Sequence, residues 1–164
     1  TMLDTTRFQS FIAEELELAA TQVRALILGE HGDSMIPAWS SAAVNGLPLA
    51  GLPNCNAGVQ NKIFGRTRTS GAEVIKRKGG AGWAVAIAIR DVIHAIALDQ
   101  QSLLPVSSLQ NGCYGVRDIC LSVPTVIGKG GVQKHVEIEL WPKEKLGIQK
   151  SAKSLKETLS KVNV

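Results

Sequence analysis

Aromatic residues are scarce, at 4% of 164 residues with Tyr114 as the single tyrosine, so a core has to be built mainly from Ile, Leu, Val and Ala. The same scarcity speaks against a single-stranded nucleic-acid surface, which needs aromatic side chains among the basic ones for bases to stack on. Cysteine is sparse as well. Cys55, Cys113 and Cys120 make no C-x-x-C pair, which argues against a disulfide framework and a thiolate zinc site and suits a reducing, cytoplasmic setting. No apolar run approaches the ~20 residues that span a bilayer. No basic stretch leads into an apolar one at the start, as a secretory signal would require. Neither nucleic acid nor membrane is an expected partner.

What the chain does contain is the balance of a globular domain, with 45% hydrophobic and 20% charged residues, and residues 1–164 are long enough to bury a substantial core as one domain. Eighteen Lys and Arg against 14 Asp and Glu leave a net charge of +4. Eight of the basic residues lie from Lys129 onward, mostly mixed with Glu or Ser, the pattern of a solvated helix face. The sign remains compatible with an anionic small substrate.

Phe8, Phe11, Ile12, Leu16 and Ala19 follow the i, i+3, i+4 rhythm of an amphipathic helix over 7–20, with Asp4 or Thr5 able to cap its start. "VRALIL" then reads as one short buried strand ending at Gly29, which leaves Glu30 to Ser34 on a loop. "NGLPLAGLPN" predicts a strand or two and an irregular loop. A long helical region follows from Ala57 to about Asp99, with a kink or break expected at Gly79-Gly80. Val85, Ile89, Val92, Ile93 and Ile96 mark its buried stripe. The last third is strand-like in "SLLPVSSLQ", "DICLSVPTVIG" and "QKHVEIELW", with Val136, Ile138 and Leu140 alternating with Glu137 and Glu139. "GKGG" at 128–131 is then a turn; it lacks the G-x-x-x-x-G-K-[ST] of a phosphate loop. A closing helix over 145–161 is expected to bury Ala152, Leu155, Leu159 and Val162.

Asp4 and Arg7 are three apart on the first helix and emerge from one face. His31 follows one strand later, where a helix packing back on its neighbouring strand can bring it to that face. An imidazole with a pKa of about 6.5 can give or take a proton near neutrality. A carboxylate on one ring nitrogen fixes the tautomer and leaves the other nitrogen for chemistry. A guanidinium offers two parallel donors to a substrate carboxylate. Spacing alone leaves a structural reading of each residue open: a surface pair for Asp4 and Arg7, an ordinary loop histidine for His31. Ser34 has no G-x-S-x-G elbow around it. His94 and His135 read as an exposed helix residue and an alternating strand residue, and nothing suggests a metal.

"LDTTRF" at 3–8 together with "GEHGDS" at 29–34 resembles the paired signature of the L-lactate and L-malate dehydrogenases, most closely the lactate-dehydrogenase-like malate dehydrogenases. The separation of Asp4 and His31, "IPAW" at 36–39, "YGVRDICLSVPTVIG" at 114–128 and the "GV" after the turn resemble the family too, over essentially the whole chain. The resemblance implies an α+β fold, an antiparallel or mixed sheet against long helices. It also implies roles: His31 as proton donor and acceptor, Asp4 as its carboxylate partner, and Arg7 as the clamp on the carboxylate of a small 2-hydroxy or 2-oxo acid. In "KGGAGWA" at 78–84, Ala81 stands where lactate enzymes of the family usually carry threonine. Its small side chain leaves room for a second substrate carboxylate, so malate is favoured over lactate, although tight helix packing beside the glycines would also explain an alanine.

The family's cofactor is NAD, held mainly by an N-terminal Rossmann half, and G-x-G-x-x-G is nowhere in this sequence. The resemblance therefore implies the substrate-binding C-terminal half, with the Rossmann domain of the same enzyme and further copies, as a dimer or tetramer, for partners. A non-catalytic folding or oligomerisation module is the alternative of another class. On this reading the 164-residue chain binds NAD weakly or not at all. Titration calorimetry checks it, and micromolar binding would refute it.

Overall fold

Helix α1 (Met2–Glu15) opens the chain and buries Phe8 and Ile12 completely, one turn apart on one stripe. It begins earlier than its apolar rhythm predicts. Asp4 and Thr5 therefore lie inside its first turns, buried, and cap nothing. It also ends earlier, because Glu17 adopts a left-handed φ of 55° and the Leu18 N–H closes the turn on the Ala13 carbonyl at 2.8 Å. The computed structural model describes residues 1–162, and its helices and antiparallel sheets are of the expected α+β class.

The segment read as one strand is two, in separate sheets. Strand β1 (Val23–Arg24) pairs with β4 (Ala43–Val44), which pairs in turn with β5 (Leu47–Pro48). The β4–β5 turn is Asn45-Gly46, both at positive φ as a two-residue hairpin turn requires. Strand β2 (Ile27–Leu28) pairs instead with β3 (Ile36–Pro37), antiparallel. The loop joining them carries residues 29–35.

Helix α2 (Ala57–Lys78) starts where expected. The Asn56 side chain caps it by accepting from the N–H groups of Gly58 and Val59, at 3.0 and 3.1 Å. Gly79, at φ 73°, ends it. Helix α3 (Gly82–Ala97) then runs as a separate element, so the break falls at the glycines. The stripe assigned to its buried side is mostly outside: Val85, Ile89 and Ile93 are exposed, and Ala95 is its only buried residue. Apolar residues surround this helix, and one face of it lacks a protein neighbour.

The last third centres on the antiparallel pair β6 (Ser102–Asn111) and β7 (Arg117–Gly128), with β8 (Gly131–His135) on the far side of β7. The strand expected over 133–141 stops at His135, and residues 136–140 run on without a ladder. Their alternation is still visible in burial, with Leu140 inside and Glu137 and Glu139 outside. Helix α4 (Pro142–Leu159) starts three residues before its expected position, with proline at its first position and the Glu144 carboxylate accepting the Trp141 N–H at 2.9 Å. Ala152 is buried as expected. Leu159 and Val162 are exposed, because the helix end runs clear of the sheet.

Two cores result. One gathers Phe8, Ile12, Ile27, Trp39 and Ile63 between α1, α2 and the short strands, with Phe8 edge-on to Trp39 at 4.8 Å. The other gathers Leu28, Ile36, Leu121, Val123 and Ile148 between β7 and α4. Successive residues of a strand point to opposite faces. Ile27 thus enters the first core and Leu28 the second.

Tyr114 closes the second core, its hydroxyl accepting the Ile138 N–H at 2.8 Å and donating to the Ile138 carbonyl at 3.3 Å. Burial pushes its phenol up to about 12 and the Cys113 thiol up to about 11. The folded chain therefore retains protons that the unfolded chain releases, and their contribution to stability, complete below about pH 9, is lost as pH rises toward 12. Urea unfolding should become easier across that window. With one tyrosine present, tyrosinate absorbance reports the residue directly, and a midpoint at the ordinary value of 10.0 would contradict its burial.

Candidate active site

Asp4 reaches the site from the first turn of α1, where the unpaired N–H groups and the helix dipole favour a negative charge. Its side chain is only 3% exposed. A carboxylate so enclosed needs compensating partners, and it has two. His31 Nδ1 lies 2.7 Å from Oδ2, and the Arg7 guanidinium 3.9 Å from Oδ1. The three residues anticipated from the sequence thus come together around one carboxylate.

The His31 imidazole is 72% exposed, so the side chain has little packing around it. With Nδ1–H donating to the carboxylate, Nε2 is the nitrogen left for a ligand. His31 and Asp4 line a cleft of about 390 Å³ whose other walls are the start of α1 and the apolar side of α3, with Val85, Ile89 and Ile93. The face of α3 without a protein neighbour is this wall. Arg7 stands one turn deeper, its side chain 13% exposed. Gly71 of α2 leaves space for its guanidinium, since a Cβ there would come 3.3 Å from Nη1.

Residues 1–163 match the alpha/beta C-terminal domain of lactate/malate dehydrogenase. This chain belongs to the lactate/malate dehydrogenase family. An L-lactate dehydrogenase of Clostridium acetobutylicum is 36% identical over 99% of the chain and 53% of its own length. A malate dehydrogenase of Staphylococcus saprophyticus is 44% identical over 95% of the chain and 50% of its own length. Among solved structures, the minor L-lactate dehydrogenase of Enterococcus mundtii superposes with a TM-score of 0.95 at 32% identity, over 100% of the chain and 54% of that protein. The malate dehydrogenase of Salinibacter ruber does so with a TM-score of 0.90 at 36% identity, over 97% and 52%. The chain spans about half the length of these relatives.

As a member of this family the chain has an α/β C-terminal domain fold, and its relatives carry both lactate and malate names. Ala81 lies at the N-cap of α3, and the cleft lining includes neither it nor Arg7. Ser34 donates to the Glu30 carboxylate within its own loop. His135 is hydrogen-bonded to Ser108 at 2.8 Å, and His94 is exposed. Among the described residues no group of His, Cys, Asp or Glu is placed to hold a metal, and no helix is long and apolar enough to cross a membrane.

Three features escaped the sequence. The α3 wall was assigned to the core, although Ile87 lies off the expected stripe and gave a signal that the helix carries more apolar surface than one buried face uses. Ser151, fully buried on α4, meets the histidine loop at Glu30 from 121 residues away in sequence, and no local pattern announces it. Thr5, expected as a cap, accepts the buried N–H of Ile27 at 2.9 Å and so ties α1 to the strand that leads to His31. Thr5→Val keeps the shape and strands that N–H. It should cost about 1–3 kcal/mol in urea unfolding; an unchanged midpoint would show that the tie carries no weight.

Proposed function

We propose that this chain is the substrate-binding and proton-transfer half of an NAD-dependent 2-hydroxy-acid dehydrogenase, acting on malate and oxaloacetate. The observation that carries the proposal is the 2.7 Å contact of His31 Nδ1 with the enclosed Asp4 carboxylate. It commits one ring nitrogen and leaves the other to work on substrate. Protonated His31 donates its Nε2 proton to the C2 oxygen of the oxo acid, and in the reverse direction accepts it from the C2 hydroxyl. Asp4 stabilises the imidazolium present before the proton is given up. Arg7 takes the C1 carboxylate with two parallel N–H donors, which requires its guanidinium to share itself between substrate and Asp4.

The apolar cleft wall of Leu3, Val85 and Ile89 fits the face of a nicotinamide ring. No glycine-rich turn joins a strand to a helix N-terminus among the described residues, so the phosphates of a dinucleotide would be held outside this chain. When bound, that cofactor supplies hydride chemistry at C2. The same exposed apolar surface gives the dinucleotide half of the enzyme a face to dock on, and assembly as a dimer or tetramer belongs to this reading. Lactate and pyruvate form a second reading, favoured by the relatives named lactate dehydrogenases.

The test is NADH oxidation with oxaloacetate and with pyruvate, by the chain alone and joined to a dinucleotide-binding half; inactivity of the joined protein would return the chain to a folding or oligomerisation role. In the active joined enzyme, His31→Asn should lower kcat about 10²–10⁴-fold with folding intact, and near-normal turnover would sink the proton-transfer role. Arg7→Lys should chiefly raise KM, since a point charge cannot match the two-pronged geometry; an unchanged KM would remove it as the clamp. Ala81→Thr should shift preference from oxaloacetate toward pyruvate, measured as the ratio of kcat/KM values. No shift would leave helix packing as the reason for the alanine.

A further inference from the structure

An imidazole this exposed, held by one side-chain hydrogen bond, takes its orientation from the backbone that carries it. That backbone is anchored from two sides besides Asp4. Gly29 exchanges hydrogen bonds with Ser122 of β7, at 2.8 and 3.2 Å. The next N–H, that of Glu30, donates to Ser151 Oγ at 2.8 Å. Ser151 is fully buried on α4, and its hydroxyl lies 3.0 Å from that of Ser34 at the other end of the loop. Ser34 in turn donates to the Glu30 carboxylate.

Counting hydrogens orients the network. Each hydroxyl has one proton to give. Ser34 spends its proton on Glu30, so the Ser151 proton goes to Ser34 Oγ, while Ser151 Oγ accepts from the Glu30 N–H. One buried hydroxyl thereby joins both ends of the loop that has His31 between them. The fit is close: a Cβ on Gly29 would come 2.9 Å from Ser151 Oγ, and Gly29 itself sits at φ 86°. No other α4 side chain forms a hydrogen bond with this loop among the described residues.

We infer that Ser151 is a positioning residue that holds the Glu30–Ser34 loop so that His31 keeps Nδ1 on Asp4 and Nε2 free. The inference rests on the proposed role of His31, but its readout does not depend on turnover. In a free imidazole the Nε2–H tautomer predominates, whereas the contact with Asp4 demands Nδ1–H. Long-range proton–nitrogen correlation spectra of the ¹⁵N-labelled chain, recorded with the imidazoles neutral, distinguish the two forms.

In the wild type His31 should be chiefly Nδ1–H. In Ser151→Ala the Glu30 N–H loses its partner and Ser34 its tie to α4, the loop loosens, and His31 should shift toward the Nε2–H form while the rest of the spectrum stays dispersed. Retention of the wild-type tautomer in folded Ser151→Ala would overturn the inference. Should that variant not fold, Ser151→Cys, which nearly keeps the volume but replaces the hydroxyl by a thiol that is only a weak donor and acceptor, decides the matter by the same criterion. A wild type already in the Nε2–H form would overturn both this inference and the His31 reading beneath it. A complete enzyme that fails on oxaloacetate and pyruvate while its His31 responds to Ser151→Ala would overturn the proposed function alone.

Discussion

The site depends on two residues, Ile27 and Leu28, that face opposite ways. A strand buried on both sides cannot slip by one residue without exchanging its two apolar side chains between cores and moving everything downstream. One core is built by α1 and α2, the other by β7 and α4, so this strand is where they are locked in register. Gly29 and the histidine loop begin immediately after it. The position of His31 relative to Asp4 is therefore set by the packing of the whole domain as well as by their own contact.

Electrostatics then works on that fixed frame. An almost fully enclosed carboxylate is costly unless partnered, and Asp4 meets a guanidinium, an imidazole and a helix N-terminus. Exposed pairs such as Lys62 with Glu15, at 2.7 Å, contribute little because water screens them. The Asp4 cluster differs in that its carboxylate is almost wholly enclosed, although Asp4 and His31 both line the cleft. The carboxylate is thus enclosed while the imidazole that contacts it stays accessible.

Much of this was legible in the sequence because it is local. The i, i+3 spacing of Asp4 and Arg7, the apolar break at Glu30 to Ser34 and the paired glycines after α2 each speak through a few neighbouring residues. The errors share a cause as well. Periodicity states that a helix has an apolar face but not what covers it, so the α3 stripe was assigned to the core when it faces a cleft. Alternation over 136–140 was real in burial but carried no continued ladder beyond the Val136 N–H on the Pro124 carbonyl, since side-chain period and ladder formation are separate events. Ser151 was unreadable because its importance comes from a loop that reaches it only in the folded chain.

Helix α3 belongs mainly to the boundary of the domain, and that position bears on how the family diversifies. Residues that lie outside both cores can change with little cost to folding, as substitutions away from packed features usually do. The cleft wall is built from such residues, whereas His31 and Asp4 hang from the most constrained strand and helix. Mutation can thus explore the shape of the cleft while the His31–Asp4 contact stays fixed. A scaffold divided in this way tolerates change in its cleft wall and resists it in the frame that carries His31 and Asp4, consistent with relatives named for two different acids sharing one fold.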